Sequence, residues 1–193
     1  MIIYLHGFRS APASNKARTL RQRMEQRGLG HAFWCEQLPH VPARAIALIE
    51  QAIMEARERD PACSPTLVGS SLGGYYATFL AERHTLRAAV INPAVVAPID
   101  LAPWTGTQTN LYTGEAFEFT MEHIEQLRAL DTGTLADPRR YWLLVETGDE
   151  VLDYRHAVEK YRGARQTVLE GGDHGFSRWN DYLDDIIAFA GLG

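Results

Sequence analysis

The sequence predicts an α/β fold, a mostly parallel sheet of about six strands with helices on both faces. Short apolar runs alternate with stretches of helical period almost from the first residue. The strand runs are apolar at successive positions, as burial on both faces of a parallel sheet requires. With 193 residues, 46 % hydrophobic and 22 % charged, the chain also has the size and composition of one domain with a sizeable core.

Ile2–Leu5, closed by His6-Gly7, reads as a buried first strand. Ser14 offers an N-cap for a basic helix from Asn15 that Gly28 and Gly30 stop. A second strand is expected over 32–35. From Pro42, Ile46, Ile49, Ile53 and Ala56 recur at helical spacing, and the helix ends before Asp60-Pro61. Thr66-Leu67-Val68 predicts a third strand and 72–82 a third helix. Further strands follow at 88–91, 141–146 and 166–169. Trp179, Leu183, Ile186, Ile187 and Ala190 define a closing helix.

The stretch at about 95–138 breaks the rhythm, being longer than a crossover helix and its loops need. It contains Trp104, Tyr112, Phe117 and Phe119, and Met121, Ile124, Leu127 and Leu130 mark a helix in it. The expectation is a cap or lid inserted into a single domain spanning 1–193. A longer ordinary crossover is the plainer alternative.

A net charge of −5 argues against a nucleic-acid partner. No apolar run approaches the roughly 20 residues of a membrane span, so no membrane insertion is expected. The opening Met1–Gly7 lacks the basic region of a signal peptide. Cys35 and Cys63 form neither a disulfide framework nor a zinc motif. A cytoplasmic protein is expected; the oligomeric state is not readable.

Gly69-Ser70-Ser71-Leu72-Gly73 matches G-x-S-x-G between a predicted strand and a predicted helix, the setting of a nucleophile elbow. A serine hydroxyl needs a base. Of seven histidines, His174 alone lies in a glycine-rich loop, Gly171–Phe176, directly after the last strand. That loop belongs at the carboxyl edge of the sheet, the same edge as Ser71. Asp149 is the first carboxylate after the strand ending at Glu146 and is the expected acid, ahead of Asp153 and Asp173. The order Ser71, Asp149, His174 is that of the α/β-hydrolases. Backbone amides of Phe8 and Leu72 are the expected oxyanion donors, with His6 bracing the Phe8 loop. Arg9 and Tyr112 are candidate substrate contacts, and Arg9 with Lys16 could attract an anionic leaving group such as a phosphorylated thiol.

Several of these strings, taken together, resemble the YqiA-like esterases, small bacterial α/β-hydrolases. They are His6-Gly7-Phe8 with Ser10, Pro12, Ser14 and Lys16, the elbow through Gly74, Asn92-Pro93-Ala94, Asn110–Glu115, Thr147–Tyr154 and Gly171–His174. The resemblance spans nearly the whole chain and implies a minimal α/β-hydrolase fold. Relative to the full fold it begins at the strand leading into the oxyanion loop. It also implies cofactor-free hydrolysis of a small-molecule acyl ester or acyl-CoA thioester. A peptide hydrolase, an acyltransferase or a non-catalytic receptor on the same scaffold are the alternatives.

Overall fold

The computed structural model describes residues 1–193. Its central sheet has six strands: β1 (Ile2–Leu5), β2 (Phe33–Trp34), β3 (Thr66–Ser70), β4 (Arg87–Ile91), and then two after the long insertion. The insertion contains α4 (Ala97–Leu101), a hairpin of β5 (Gly106–Thr109) and β6 (Ala116–Phe119), and α5 (Met121–Arg128). β7 (Tyr141–Glu146) and β8 (Arg165–Leu169) complete the sheet in the order β2-β1-β3-β4-β7-β8, every pair parallel.

The parallel strands need covering on both faces, and their side chains alternate accordingly. Ile3, Leu5, Leu67, Val90, Leu143 and Val145 face one core, shared with α2 (Pro42–Arg59), α3 (Leu72–His84) and α5. Ile2, Tyr4, Val68, Ile91, Trp142 and Leu144 face the other, against α1 (Asn15–Gln26) and α7 (Leu183–Phe189). The Trp179 indole donates to the Lys16 carbonyl at 3.1 Å and to Thr19 Oγ1 at 3.0 Å, tying the last helical segment to the first helix.

The structure departs from the sequence reading in four places. The second strand shrinks to Phe33–Trp34, because Ala32 is taken into a 3₁₀ turn, Gly30–Ala32, and the pairing with β1 stops at Trp34. Ser14 occupies the N-cap position of α1, yet its side chain makes no capping bond. The closing helix starts as a 3₁₀ turn, Trp179–Tyr182. The insertion holds a hairpin as well as the expected helix, so the chain has eight strands in all.

Candidate active site

Ser71 sits between β3 and α3 at φ 55° and ψ −123°, a conformation that L-residues adopt at a cost of about 1–3 kcal/mol. Close packing enforces it. A Cβ on Gly69 would lie 2.2 Å from the Gly73 carbonyl oxygen, and one on Gly73 would lie 2.0 Å from that of Leu5. The flanking glycines are therefore steric requirements of the turn.

His174 Nε2 lies 3.1 Å from Ser71 Oγ, and its Nδ1 lies 2.9 and 2.8 Å from the two Asp149 carboxylate oxygens. With Nδ1–H donating to the carboxylate, Nε2 is the free acceptor for the serine hydroxyl. Asp149 Oδ1 also accepts the amides of Val151 and Leu152, both at 2.9 Å, which fixes the carboxylate. The His174 amide donates to Glu150 Oε2 at 2.9 Å.

The loop carrying His174 is anchored from beneath by Glu146, the last residue of β7, which is fully buried. Its carboxylate accepts the amides of Asp173, Ser177 and Arg178 at 2.9, 2.8 and 3.2 Å. The Ser177 hydroxyl and Arg178 Nε add bonds at 3.0 and 2.9 Å. Burial alone would raise this carboxyl's pKa; these donors outweigh it and bring the value down to about 2. Asn92 works beside it. Its Oδ1 accepts the Glu146 amide, and its Nδ2 donates to the carbonyls of Asp173 and His174. Sequence reasoning missed Glu146 and gave Asn92 no role. A carboxylate closing an apolar run reads as a strand end, although both faces of β7 are covered and its last position is buried too.

The amides of Phe8 and Leu72 have no acceptor in the protein, and both residues line a cavity of about 420 Å³ with Ser71 and His174. The rest of that wall is mainly apolar, including Leu101, Trp104, Leu111 and Val151. The β5–β6 hairpin fixes the Phe8 loop. The Leu111 amide donates to the Arg9 carbonyl at 2.8 Å, Arg9 Nε donates to the Thr109 carbonyl at 2.9 Å, and Asn110 Nδ2 donates to the Ser10 carbonyl at 2.8 Å. His6 braces the same loop, its Nε2 accepting the Leu38 amide at 3.0 Å. Burial lowers the His6 pKa, partly offset by the Gly7 carbonyl.

A second cavity, of about 310 Å³, also reaches Ser71 and His174 and is lined by Lys16 and Tyr112. Arg9 lines the apolar cavity, so Arg9 and Lys16 do not share one volume. The Arg9 guanidinium lies 5.5 Å from the Trp104 ring centre. The rest of the basic face of α1 is largely occupied: Arg23 and Arg27 pair with Asp184, and Arg21 donates to the Cys35 carbonyl. Asp153 caps α6 (Tyr154–Lys160) by accepting the Arg155 amide at 3.0 Å. Asp173 contributes its carbonyl to the turn, accepting the Phe176 amide.

The chain matches the Uncharacterised protein family (UPF0227) over residues 1–191. It belongs to that family. This is the YqiA-like group that the sequence motifs resemble. The UPF0227 protein YcfP of Salmonella gallinarum is 24 % identical over 201 residues, covering 100 % of both chains. Among solved structures, mouse alpha/beta hydrolase domain-containing protein 10 aligns with a TM-score of 0.68 at 16 % identity, covering 97 % of this chain and 89 % of its own. Est1E from Butyrivibrio proteoclasticus, solved with ferulic acid bound, aligns with a TM-score of 0.66 at 15 % identity, covering 100 % and 89 %. The UPF0227 chain therefore has the α/β-hydrolase fold.

Proposed function

We propose that the protein is a serine hydrolase of carboxylic esters or thioesters, with Ser71, His174 and Asp149 as its triad. The observation that carries this reading is the unbroken hydrogen-bonded line from Asp149 through His174 to Ser71 Oγ, opening on a cavity with two unpaired amides. Ser71 Oγ attacks the acyl carbon while His174 Nε2 takes its proton. The developing oxyanion is met by the amides of Phe8 and Leu72, the latter at the positive end of α3. His174 then passes the proton to the leaving oxygen or sulfur, and an acyl-Ser71 remains. Water attacks this ester, again losing its proton to His174 Nε2, and the carboxylic acid leaves as Ser71 recovers its proton.

Asp149 keeps the imidazole in the required tautomer and stabilises the transient imidazolium. The acyl group lies in the apolar cavity, whose volume suits a small-molecule ester. The insertion at 95–138 works as a cap on the one domain, supplying the hairpin that fixes the oxyanion loop. No helix is long and apolar enough to cross a membrane. Reaction with a fluorophosphonate probe tests the reading. Wild-type protein should be labelled at Ser71, and Ser71→Ala and His174→Ala should each lose about 10⁶ in kcat on a short-chain ester. Wild-type turnover by folded Ser71→Ala would sink it.

A further inference from the structure

The segment Ser10–Lys16 belongs to the strings singled out in the sequence, yet the acyl-transfer steps use none of its side chains. Ser10, Ser14 and Lys16 all line the 310 Å³ cavity beside Ser71 and His174. Ser14 is 7 % exposed and stands at the N-cap of α1, but its hydroxyl makes neither a capping bond nor any other. Thr66 Oγ1 is the only sealed side-chain polar atom without a partner, so the Ser14 hydroxyl keeps access to this cavity.

Two further features add positive potential at the same place. α1 is 12 residues long with no acidic residue in its first turn, and the amides of Asn15 and Lys16 have no acceptor. Such amides carry the positive end of the helix dipole. Lys16 Nζ donates to one protein acceptor, the Gly175 carbonyl at 2.7 Å, which leaves two of its three protons uncommitted. Burial lowers its pKa to about 8 against the opposing pull of Asp173, Asp149 and Glu146, so the ammonium is still charged at neutral pH. Of those carboxylates, Asp149 is committed to His174 and Glu146 to the loop beneath it.

We infer that this cavity is a subsite for an anionic group, a phosphate or a carboxylate, carried on the leaving alcohol or thiol of the substrate. The inference rests on the serine-hydrolase reading for the word leaving. The substrate carbonyl must meet both oxyanion amides, and both Phe8 and Leu72 line the apolar cavity, whereas Leu72 does not line the polar one. The acyl chain therefore takes the apolar side. The leaving group takes the side where Lys16 rests on Gly175, next to the imidazole that protonates it.

The test compares kcat/KM for hexanoyl esters of ethylene glycol, of glycolic acid and of ethylene glycol monophosphate. Wild-type protein should prefer an anionic ester over the neutral one by about tenfold or more, the scale of one charge-assisted hydrogen bond. The carboxylate and phosphate arms decide which anion fits. Lys16→Met and Ser14→Ala should each pull that ratio toward one, whatever they do to absolute rates. An equal rate for all three esters in wild type, or a preference that survives Lys16→Met, overturns the subsite. Absence of both turnover and Ser71 labelling would instead overturn the hydrolase reading. The subsite is then judged by inorganic phosphate, which should raise the Tm of wild type and not that of Lys16→Met; no difference between the two overturns it.

Discussion

Ser71 and His174 approach within 3.1 Å, yet only the segment that presents His174 adds a buried charge to close packing. The elbow around Ser71 is held by excluded volume: glycines pressed against carbonyls and a backbone angle tolerated because nothing else fits. The loop around His174 is held by donors converging on Glu146, with Asn92 tying it to the sheet. Steric fixing is indifferent to pH and fails when atoms are added. Electrostatic fixing fails when a charge is removed, and here it leaves no more room for atoms than the elbow does, since a Cβ on Gly172 would lie 1.9 Å from Glu146 Oε2. One active site thus contains two kinds of rigidity with different vulnerabilities.

After the loss of either Ser71 or His174 itself, the largest expected effect falls on the acid that orients the imidazole. Asp149→Asn should reduce kcat by about 10⁴ with little change in Tm, because the wrong imidazole tautomer then faces Ser71. Steady-state kinetics with thermal melts checks this, and a comparable loss in Asp153→Asn but not Asp149→Asn would move the acid. Next comes the elbow. Gly73→Ala places a methyl 2.0 Å from the Leu5 carbonyl and should cost about 3 kcal/mol by denaturant unfolding, at every pH.

Glu146→Gln should cost about 2 kcal/mol, since buried donors lose their charged acceptor. Its signature is the pH dependence. The folded-state pKa of Glu146 is depressed from 4.5 to about 2, so its contribution is complete above the ordinary value and drains away as pH falls between the two. Wild-type Tm should therefore fall more steeply than that of Glu146→Gln below pH 4.5, and parallel curves would show that the loop is not fixed by charge. The smallest effect is Asp153→Ala, about 1 kcal/mol for a lost helix cap, with activity retained.

What was legible in the sequence follows the same division. Elements fixed by periodicity and glycine punctuation were readable: the six strands of the main sheet, α2, α3 and the elbow around Ser71. The β5–β6 hairpin was not, because Gly106–Thr109 and Ala116–Phe119 are four residues each and only half-buried. Phe117 and Phe119 are two apart, the strand spacing, but so short a run cannot be separated from a loop. The proximity of His174 to Ser71 was inferable from edge and order alone. The Glu146 anchor was not, since three of its donors are backbone amides 27 to 32 residues away, and no spacing marks Ser177 and Arg178, whose side chains add to them, as its partners.

The latch between Trp179 and the first turns of α1 has a consequence for how the chain acquires its shape. During synthesis α1 emerges early, and its apolar stripe of Ala17, Leu20 and Met24 has no partner helix until the last residues leave the ribosome. The same contact joins positions 160 and 163 apart, the kind of distant closure that slows folding. In refolding followed by pulsed hydrogen exchange, the amides of α1 should gain protection together with those of α7 and later than those of β3 and β4. Nascent chains lacking the closing helix should remain dependent on chaperones, because the part of that sheet face which α7 covers, and the side of α1 that packs on it, are still wet.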